Sequence, residues 1–327
     1  MKTPTRVERS ADFFRPRASR AAENAALLLN SDRFNRARAL ISAYYAVLLY
    51  FAVNNLYSWP GYLASSNLSP RWAVFWLRYV DTTTGISWIL WIHLLGGLVG
   101  IALSGARWAR IFVFVSLLEF LSFKYSFGSI NHGDHLTILI AFVLIFLPSG
   151  WRSSLPGRHQ RAATLLVFSG CQALIMLTYS MSGMWKIGGV VRQMVKGEVH
   201  ALAPQGLAQQ VAAKLLSVDF TSVLGPWLID HYYVGWPLMI ATLYLEIFAL
   251  WSVFRPSTHR LWGLGLILFH TSSQLILGIG FSENCLWLAL FFVLSPFRPR
   301  RLVWRRVLRD LPLLGRLLVL TLPGRAD

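Results

Sequence analysis

Apolar stretches long enough to cross a lipid bilayer recur along almost the whole chain, and they limit its fold more than any other feature. A spanning helix needs about 20 mainly apolar residues, and the sequence offers eight windows of that kind. Hydrophobic residues make up 55% of the 327 residues and charged ones only 14%, which is too apolar for a soluble protein of this length. We therefore expect an all-α fold, a polytopic transmembrane helix bundle of about eight spans. The windows cover 39–57, 86–104, 110–126, 134–150, 162–182, 236–254, 260–278 and 281–297.

The lysines and arginines are distributed unevenly between alternate loops of this topology. With both termini on one side, 24 of the 31 basic residues fall on the terminal side and seven on the other. Cytoplasmic segments carry such an excess, so we expect cytoplasmic termini and an integral protein of a bacterial inner (plasma) membrane. The formal charge of +17 indicates contact with anionic lipid at the cytoplasmic face. No nucleic-acid partner is expected, because the basic residues form no aromatic-interleaved stripe.

The topology divides the chain into three regions. Residues 1–38 form a basic cytoplasmic segment that lacks the apolar core and cleavage site of a secretory signal. Residues 39–297 form the membrane bundle, and residues 298–327 form a basic amphipathic cytoplasmic tail that is expected to lie on the inner leaflet. The long outer loop 183–235 mixes alanine, leucine and glutamine at helical spacing, which predicts one or two interfacial helices there.

Two histidines mark the outer start of the fourth window, in the sequence NHGDHLTILI. The spacing of His132 and His135 around Asp134 is compatible with a metal site, but no third or fourth ligand follows at a matching distance, so no metal is predicted. A capping role at the membrane interface, with Asn131 as the N-cap residue of the fourth helix, is as compatible with the sequence as a functional role of His132. The capping and the functional interpretation both stay open at this point.

Lys186 closes the fifth window, within the sequence YSMSGMWKIGG. One interpretation is that its stem stays in lipid while its ammonium group reaches the headgroups. The other is that it folds inward and loses its solvation, which leaves a neutral amine able to accept a proton. Gly183, Gly188 and Gly189 would permit the tight backbone that the inward position needs. The residues by themselves favour the first interpretation.

Further ionisable residues lie at depths that water does not reach easily, and each needs a partner or a proton. Glu246 falls near the middle of the sixth window, and His270 lies in the seventh, which ends at a glycine-rich break, GIGF. Irregular backbone inside a bilayer is tolerated where it lines a cavity. His132, Lys186 and this break all fall in the outer half of the predicted bundle. We therefore expect one outward-facing pocket to hold these residues together with Glu246 and His270.

Two cysteines, one glutamate and one histidine in the apolar windows are assigned no functional role. Cys171 and Cys285 belong to helices at different expected depths, so no structural disulfide is predicted. Glu119 in the third window and His93 in the second also need partners. Nothing around these two residues favours chemistry over contacts between helices.

Four motifs occur in the order NHGDHLTILIAF, YSMSGMWKI, LEIFALWSVFRPSTHRLWGLGLILFH and LGIGFSENCLWLALFFVLSPF. In this order and spacing they resemble the horizontally transferred transmembrane (HTTM) family, which contains the membrane part of vitamin K-dependent gamma-glutamyl carboxylase. The resemblance covers most of residues 30–300. In that carboxylase, reduced vitamin K is oxygenated to its epoxide, and the strong base formed removes a proton from a glutamate side chain, whose carbanion adds carbon dioxide.

The resemblance implies roles for residues of this chain. Lys186 resembles the lysine that is considered the initiating base, and His132 resembles the histidine that orients or stabilises the quinol oxygen, so these two are the candidate catalytic residues. His270 resembles a family histidine that lines the same region. The implied cofactor or substrate is a reduced vitamin K-like quinol or another apolar small molecule. The candidate substrate-binding residues are Asn131, Trp185, Glu246 and His270.

The sequence supports two hypotheses of function. The first is a vitamin K-dependent carboxylase-like membrane enzyme that acts on a quinol with Lys186 as base. Carboxylation of a protein is not expected, because the carboxylase has a large soluble region after its helices and this sequence has 30 residues after the last window. The second is a non-catalytic bundle that binds a lipid or quinone, or a membrane partner of a separate redox protein. No internal symmetry favours a carrier of the inverted-repeat type.

Overall fold

A computed structural model gives the architecture, and it describes residues 31–58, 61, 68–128, 132–217, 221–299 and 301–315. Every regular element in this part of the chain is helical, so the predicted all-α class is confirmed. Short 3-10 turns and one π-helical segment connect or extend the α-helices. The α-helices are α1 Ser31–Tyr57, α2 Thr82–Leu103, α3 Arg107–Tyr125, α4 His135–Leu144, α5 Arg158–Val195, α6 Gly206–Ser217, α7 Gly225–Asp230, α8 Tyr232–Ile247, α9 Ala249–Val253, α10 His259–Leu277, α11 Ser282–Leu288 and α12 Trp304–Arg309. The 3-10 turns are Trp72–Arg78, His132–Asp134 and Pro256–Thr258, and the π-helical segment is Ala289–Val293.

Three of these helices, α1, α2 and α5, are long and apolar enough to cross a membrane. The helices at the other five windows are shorter, broken or less apolar. Helix α4, for example, has 10 residues and is therefore about 15 Å long, half the thickness of the hydrocarbon core. The apolar helices are those of a membrane protein, and the count of eight spans stays a prediction.

The predicted end of the fifth window near residue 182 is wrong, because α5 continues well beyond it. The helix runs unbroken for 38 residues, Arg158–Val195, which is about 57 Å at 1.5 Å per residue. Gln160 fixes its start, since its side-chain oxygen accepts the backbone N–H of Gly157 at 2.9 Å. Gly197 closes its end in the left-handed conformation, at φ 69°, which residues with a side chain rarely adopt.

Helix α5 lies at the centre of the bundle and packs against α1, α4, α8 and α9. Its buried side chains recur at helical spacing, and Leu165, Phe168 and Ile175 are inaccessible to solvent. Gln172 on the buried face donates from its amide nitrogen to the carbonyl oxygen of Phe291 at 2.6 Å. That carbonyl belongs to the π-helical segment, where the regular hydrogen-bond ladder is interrupted. One buried amide therefore ties α5 to the last apolar segment.

Helices α8 and α9 form one broken rod at the sixth window. The chain leaves helical geometry at Phe248, where φ is −93° and ψ is 13°. Ser180 of α5 bridges the break, because its hydroxyl donates to the carbonyl of Ile247 at 3.1 Å and accepts the N–H of Leu250 at 3.0 Å. Backbone groups freed by a break in an apolar setting need such partners, so α5 stabilises the kink.

The region 183–235 contains less loop than the sequence indicates. It begins inside α5 and then contains α6 and α7. The prediction of one or two helices after the fifth window is therefore confirmed. Their position at a membrane interface stays a prediction.

The described part of the basic tail packs against the bundle. It contains the short helix α12, in which Val307 is buried. Tyr244 of α8 donates to the carbonyl of Pro312 at 2.7 Å, and the indole of Trp251 donates to that of Asp310 at 2.9 Å. These contacts anchor the tail to α8 and α9. Residues 1–30 of the predicted segment 1–38, and residues 300 and 316–327 of the predicted tail 298–327, lie outside the described residues.

Arg110, the first residue of the third window, is 2% exposed although the topology counts it among the basic residues of the terminal side. Its guanidinium donates to the carbonyls of Ser104 and Gly105, after α2, at 2.7 and 3.0 Å. It also donates to those of Ile145 and Leu147, after α4, at 3.4 and 2.5 Å. A guanidinium offers five N–H donors in one plane, so one side chain satisfies carbonyls that two helix ends leave open.

We expect Arg110→Ala to lower the free energy of unfolding by about 3 kcal/mol, because it leaves several buried carbonyls without donors. Arg107→Ala is the matched control, since Arg107 is an exposed arginine on the same helix, and should change stability by less than about 0.5 kcal/mol. Chemical denaturation in a mild detergent, followed by circular dichroism, measures both. Equal stability of the two variants would contradict the capping role.

Candidate functional site at the contact of α5 with α8

Helices α5 and α8 approach each other closely at Gly183. A Cβ atom at this position would lie 2.8 Å from the backbone nitrogen of Ile247 and 2.9 Å from the Cβ of Glu246, closer than packed atoms allow. Gly188 and Gly189 have open space around them and lie within the regular helix, so the prediction that they permit a tight backbone here is wrong. The single glycine at 183 brings the backbone of α8 against α5.

This close approach buries Glu246 against Lys186. The glutamate is 2% exposed. The Nζ atom of Lys186 donates to its Oε1 at 2.6 Å and to its Oε2 at 2.7 Å, and Ser182 Oγ donates to Oε1 at 3.4 Å. An unpaired carboxylate at such a position would cost several kcal/mol. The pair therefore explains how a carboxylate is accommodated in an apolar helix.

Lys186 reaches this position from the surface of the bundle. Its side chain is 37% exposed, and its Nζ lies 5.2 Å from the centroid of the Phe269 ring on α10, within the range of a cation–π contact. The lysine thus points inward, but as one partner of an ion pair. The geometry presents an ion pair rather than an isolated amine.

A second polar pair lies about two turns earlier on the same face of α5. The Tyr179 hydroxyl and Nε2 of His270 are 2.7 Å apart and share a hydrogen bond, and both side chains are buried. The other ring nitrogen of His270, Nδ1, has no hydrogen-bond partner among the described residues. Tyr179, Ser182 and Lys186 follow the i, i+3, i+7 spacing of one helix face. Three predicted site residues, Lys186, Glu246 and His270, therefore lie around one contact of α5, α8 and α10.

The structure does not bring the other predicted site residues into this cluster. His132 lies in the 3-10 turn before α4, with its ring centroid 5.0 Å from that of His135, and the main neighbours of this turn are α4 and α11. Within the described chain, neither a hydrogen bond nor an ion pair joins His132 to Lys186. Trp185 is 85% exposed and takes no part in the contacts of Glu246. Asn131 lies outside the described residues.

A further polar cluster, near His132, is one that sequence reasoning missed. Lys124 of α3 pairs with Asp134, with Nζ 3.0 Å from Oδ1 and 2.9 Å from Oδ2. Tyr125 donates to Oδ2 of the same carboxylate at 3.2 Å. Opposite charges ten residues apart, at the facing ends of two consecutive helices, were the available sequence signal. Glu283 of α11 adds a second carboxyl group to this cluster.

Among the described residues, no group of three histidine, cysteine or acidic side chains is placed to hold a metal ion. Cys171 and Cys285 are both free thiols. Comparisons with known protein families, with curated protein sequences and with solved structures give no match. Membership in the HTTM family therefore stays a prediction from the four sequence motifs.

We expect Gly183→Ala to destabilise the bundle by about 1–3 kcal/mol, because the added methyl group forces α8 away from α5. Gly188→Ala is the matched control. Its Cβ would meet nothing within 4 Å, and alanine favours helix over glycine by about 1 kcal/mol, so this variant should be at least as stable as the wild type. Thermal unfolding of the purified proteins measures the difference, and an unchanged Tm in Gly183→Ala would argue against the close approach.

Proposed function

We propose that this chain is a multi-pass membrane enzyme of HTTM type that removes a proton from the hydroxyl group of a reduced vitamin K-like quinol or a similar apolar small molecule. The Lys186–Glu246 pair accepts that proton. The observation that carries the proposal is the pair itself, a buried carboxylate held by an ammonium group whose outer side is open. Two apolar side chains would pack α5 on α8 at least as well as a buried ion pair does. A chemical role accounts for the pair better than a structural one.

The pair acts as one proton acceptor. When a quinol hydroxyl reaches it, the O–H bond breaks and the carboxylate of Glu246 becomes a carboxylic acid. The ammonium group of Lys186 then faces the quinolate oxygen and stabilises its negative charge. The products are the same if Lys186 first passes a proton to Glu246 and then takes the proton of the quinol, so the proton belongs to the pair. This arrangement gives His132 no part in the transfer.

Neighbouring side chains suit a ring with two hydroxyl groups. Tyr179 and His270 add a hydroxyl and an imidazole along the same face of α5. Phe269 lies beside the lysine, and Phe281 packs on the imidazole with ring centroids 4.8 Å apart. Aromatic faces of this kind stack on quinol rings. The site thus combines a proton acceptor, further hydrogen-bonding groups and apolar walls.

The proposal includes an orientation in the membrane. We place both termini in the cytoplasm of a bacterial cell, with the protein in the inner membrane and anionic lipid at its cytoplasmic face. The distribution of basic residues supports this choice, since 24 of 31 fall on the terminal side.

A non-catalytic role is the second candidate, and a separate observation favours it. A cleft of about 390 Å³ opens between α1 and α11, and Lys186 does not line it. A lipid or quinone bound in that cleft would not meet the proton acceptor. The protein would then bind or present the molecule without changing it.

A product assay tests the enzyme proposal. Protein in lipid nanodiscs is supplied with reduced naphthoquinone and oxygen, and epoxide is measured by chromatography. We expect turnover to fall by about 100-fold or more in Lys186→Ala and Glu246→Gln, because a positioned acid–base group contributes at least that factor. Lys196→Ala is the control, because Lys196 forms an exposed pair with Glu198 just after α5, and it should retain full activity.

Two results would change the assignment. Epoxide formation by folded Lys186→Ala at the wild-type rate would refute the proton-acceptor role. A complete lack of epoxide from folded wild type would favour the binding role instead. Size-exclusion elution and Tm show whether each variant is folded.

A further inference from the structure

Two adjoining chambers lie apart from the Lys186–Glu246 pair, an outer one between α1 and α11 and an inner one that α2, α3 and α4 also line. The inner chamber has a volume of about 20 Å³ and the outer one about 390 Å³. The inner chamber has room for a single water molecule, whereas the outer one can take a small organic group. Phe51, Asn55 and Glu283 line both. Glu283 therefore stands at the junction of the two chambers.

The inner chamber places two carboxyl groups beside one ammonium group. Lys124 and Asp134 line it as an ion pair, with 2.9 Å between Nζ and Oδ2. The charge of Asp134 also acts on Glu283 across the chamber. Among the described residues, Lys124 is the one lysine that lines this chamber, so the carboxyl groups of Asp134 and Glu283 share a single cation there. In surroundings of low dielectric constant, a second cation beside the two carboxyl groups is favoured.

Thr137 holds Glu283 as a hydrogen-bond acceptor. The indole N–H of Trp287 donates to Thr137 Oγ1 at 2.8 Å, which leaves the hydroxyl hydrogen free to donate to Glu283 Oε2 at 3.3 Å. Thr137 is itself fixed, because Tyr44 donates to its backbone carbonyl at 2.7 Å. This chain of donors orients the carboxyl group of Glu283 on the wall of the cleft.

A buried histidine faces the inner chamber with its hydrogen-bonding capacity unused. His93 is 4% exposed and lines the chamber. Its ring stacks on Phe120, with centroids 4.3 Å apart, and makes no hydrogen bond to another described residue. A polar group this deeply buried needs a water or ligand partner. The chamber is therefore built for a polar occupant.

We propose that this cleft binds the ammonium group of a small amine, with Glu283 as its counterion. Two carboxyl groups beside one lysine favour a cationic ligand, and the volume of the outer chamber, about 390 Å³, suits an organic headgroup rather than a bare ion. The ammonium group is recognised by a carboxylate, by amide and hydroxyl oxygens and by aromatic faces. The side chains that supply these groups in the outer chamber are Tyr50, Phe51, Asn54, Asn55, Ser282 and Glu283.

The amine can come from a lipid headgroup or from a soluble molecule. An ethanolamine headgroup and free ethanolamine present the same primary ammonium group to Glu283. The cleft opens beside Tyr50, an exposed side chain of the long apolar helix α1. That position is within reach of a lipid held in the bilayer.

Native mass spectrometry of the full chain in detergent tests the proposal. Phosphatidylethanolamine and phosphatidylglycerol with the same acyl chains are titrated separately. We expect the ethanolamine lipid to bind more tightly to wild type and its affinity for Glu283→Gln to fall by about tenfold or more, since a hydrogen bond to a charged group is lost. Glu119→Gln is the matched control, because Glu119 is a partly buried helix glutamate that lines neither chamber.

Equal affinity of wild type for the two lipids would overturn the proposal, as would unchanged binding by Glu283→Gln. If Glu283→Gln does not fold, Asn55→Ala tests the same cleft and should also weaken binding. A rise in Tm with free ethanolamine would identify the soluble amine as sufficient, whereas binding of the lipid alone would identify the headgroup within a bilayer. Neither result depends on quinol turnover, so the enzyme proposal and the amine site can fail separately.

Discussion

The cost of a buried carboxylate explains much of how this bundle is organised around α5. Glu246 lies within an apolar helix, where an uncompensated negative charge would cost several kcal/mol. Gly183 allows α8 close enough for Lys186 to reach both carboxylate oxygens, at 2.6 and 2.7 Å. The close contact of α5 with α8 and the inward direction of the Lys186 side chain both serve to neutralise this charge. His270 lies beside them.

The same principle applies where the backbone is irregular. At three irregular points a polar side chain supplies missing hydrogen bonds: Ser180 at the break between α8 and α9, Gln172 at the π-helical segment, and Arg110 where α2 and α4 end. Two of the three come from α5. A backbone group without a partner is costly in apolar surroundings, so these few side chains allow short and broken helices to pack as one bundle.

The sequence predicts the helical class and several helix limits because apolar windows and glycine breaks are local signals. The break after the seventh window is confirmed, with α10 ending at Leu277 and Gly278 at φ 68°. The length of α5 could not be predicted, since the lysine and glycines at 186–189 resemble an end signal when the packing of α8 is unknown. Glu246 and Lys186 were each recognised as candidates, but their pairing spans 60 positions and depends on tertiary structure. The place of Glu283 beside Lys124 and Asp134 was missed for the same reason, whereas Lys124 and Asp134 themselves are only ten positions apart.

The continuity of α5 has a consequence for how this protein can vary. An α-helix turns by about 100° per residue, and Gln172, Ser180 and Lys186 contact three different partners from one uninterrupted rod. A single insertion or deletion between Ser180 and Lys186 would rotate the lysine away from Glu246 while the other two contacts remained. Proteins that share this architecture should therefore keep the separation of 14 positions from Gln172 to Lys186, even where most of the side chains between them have changed.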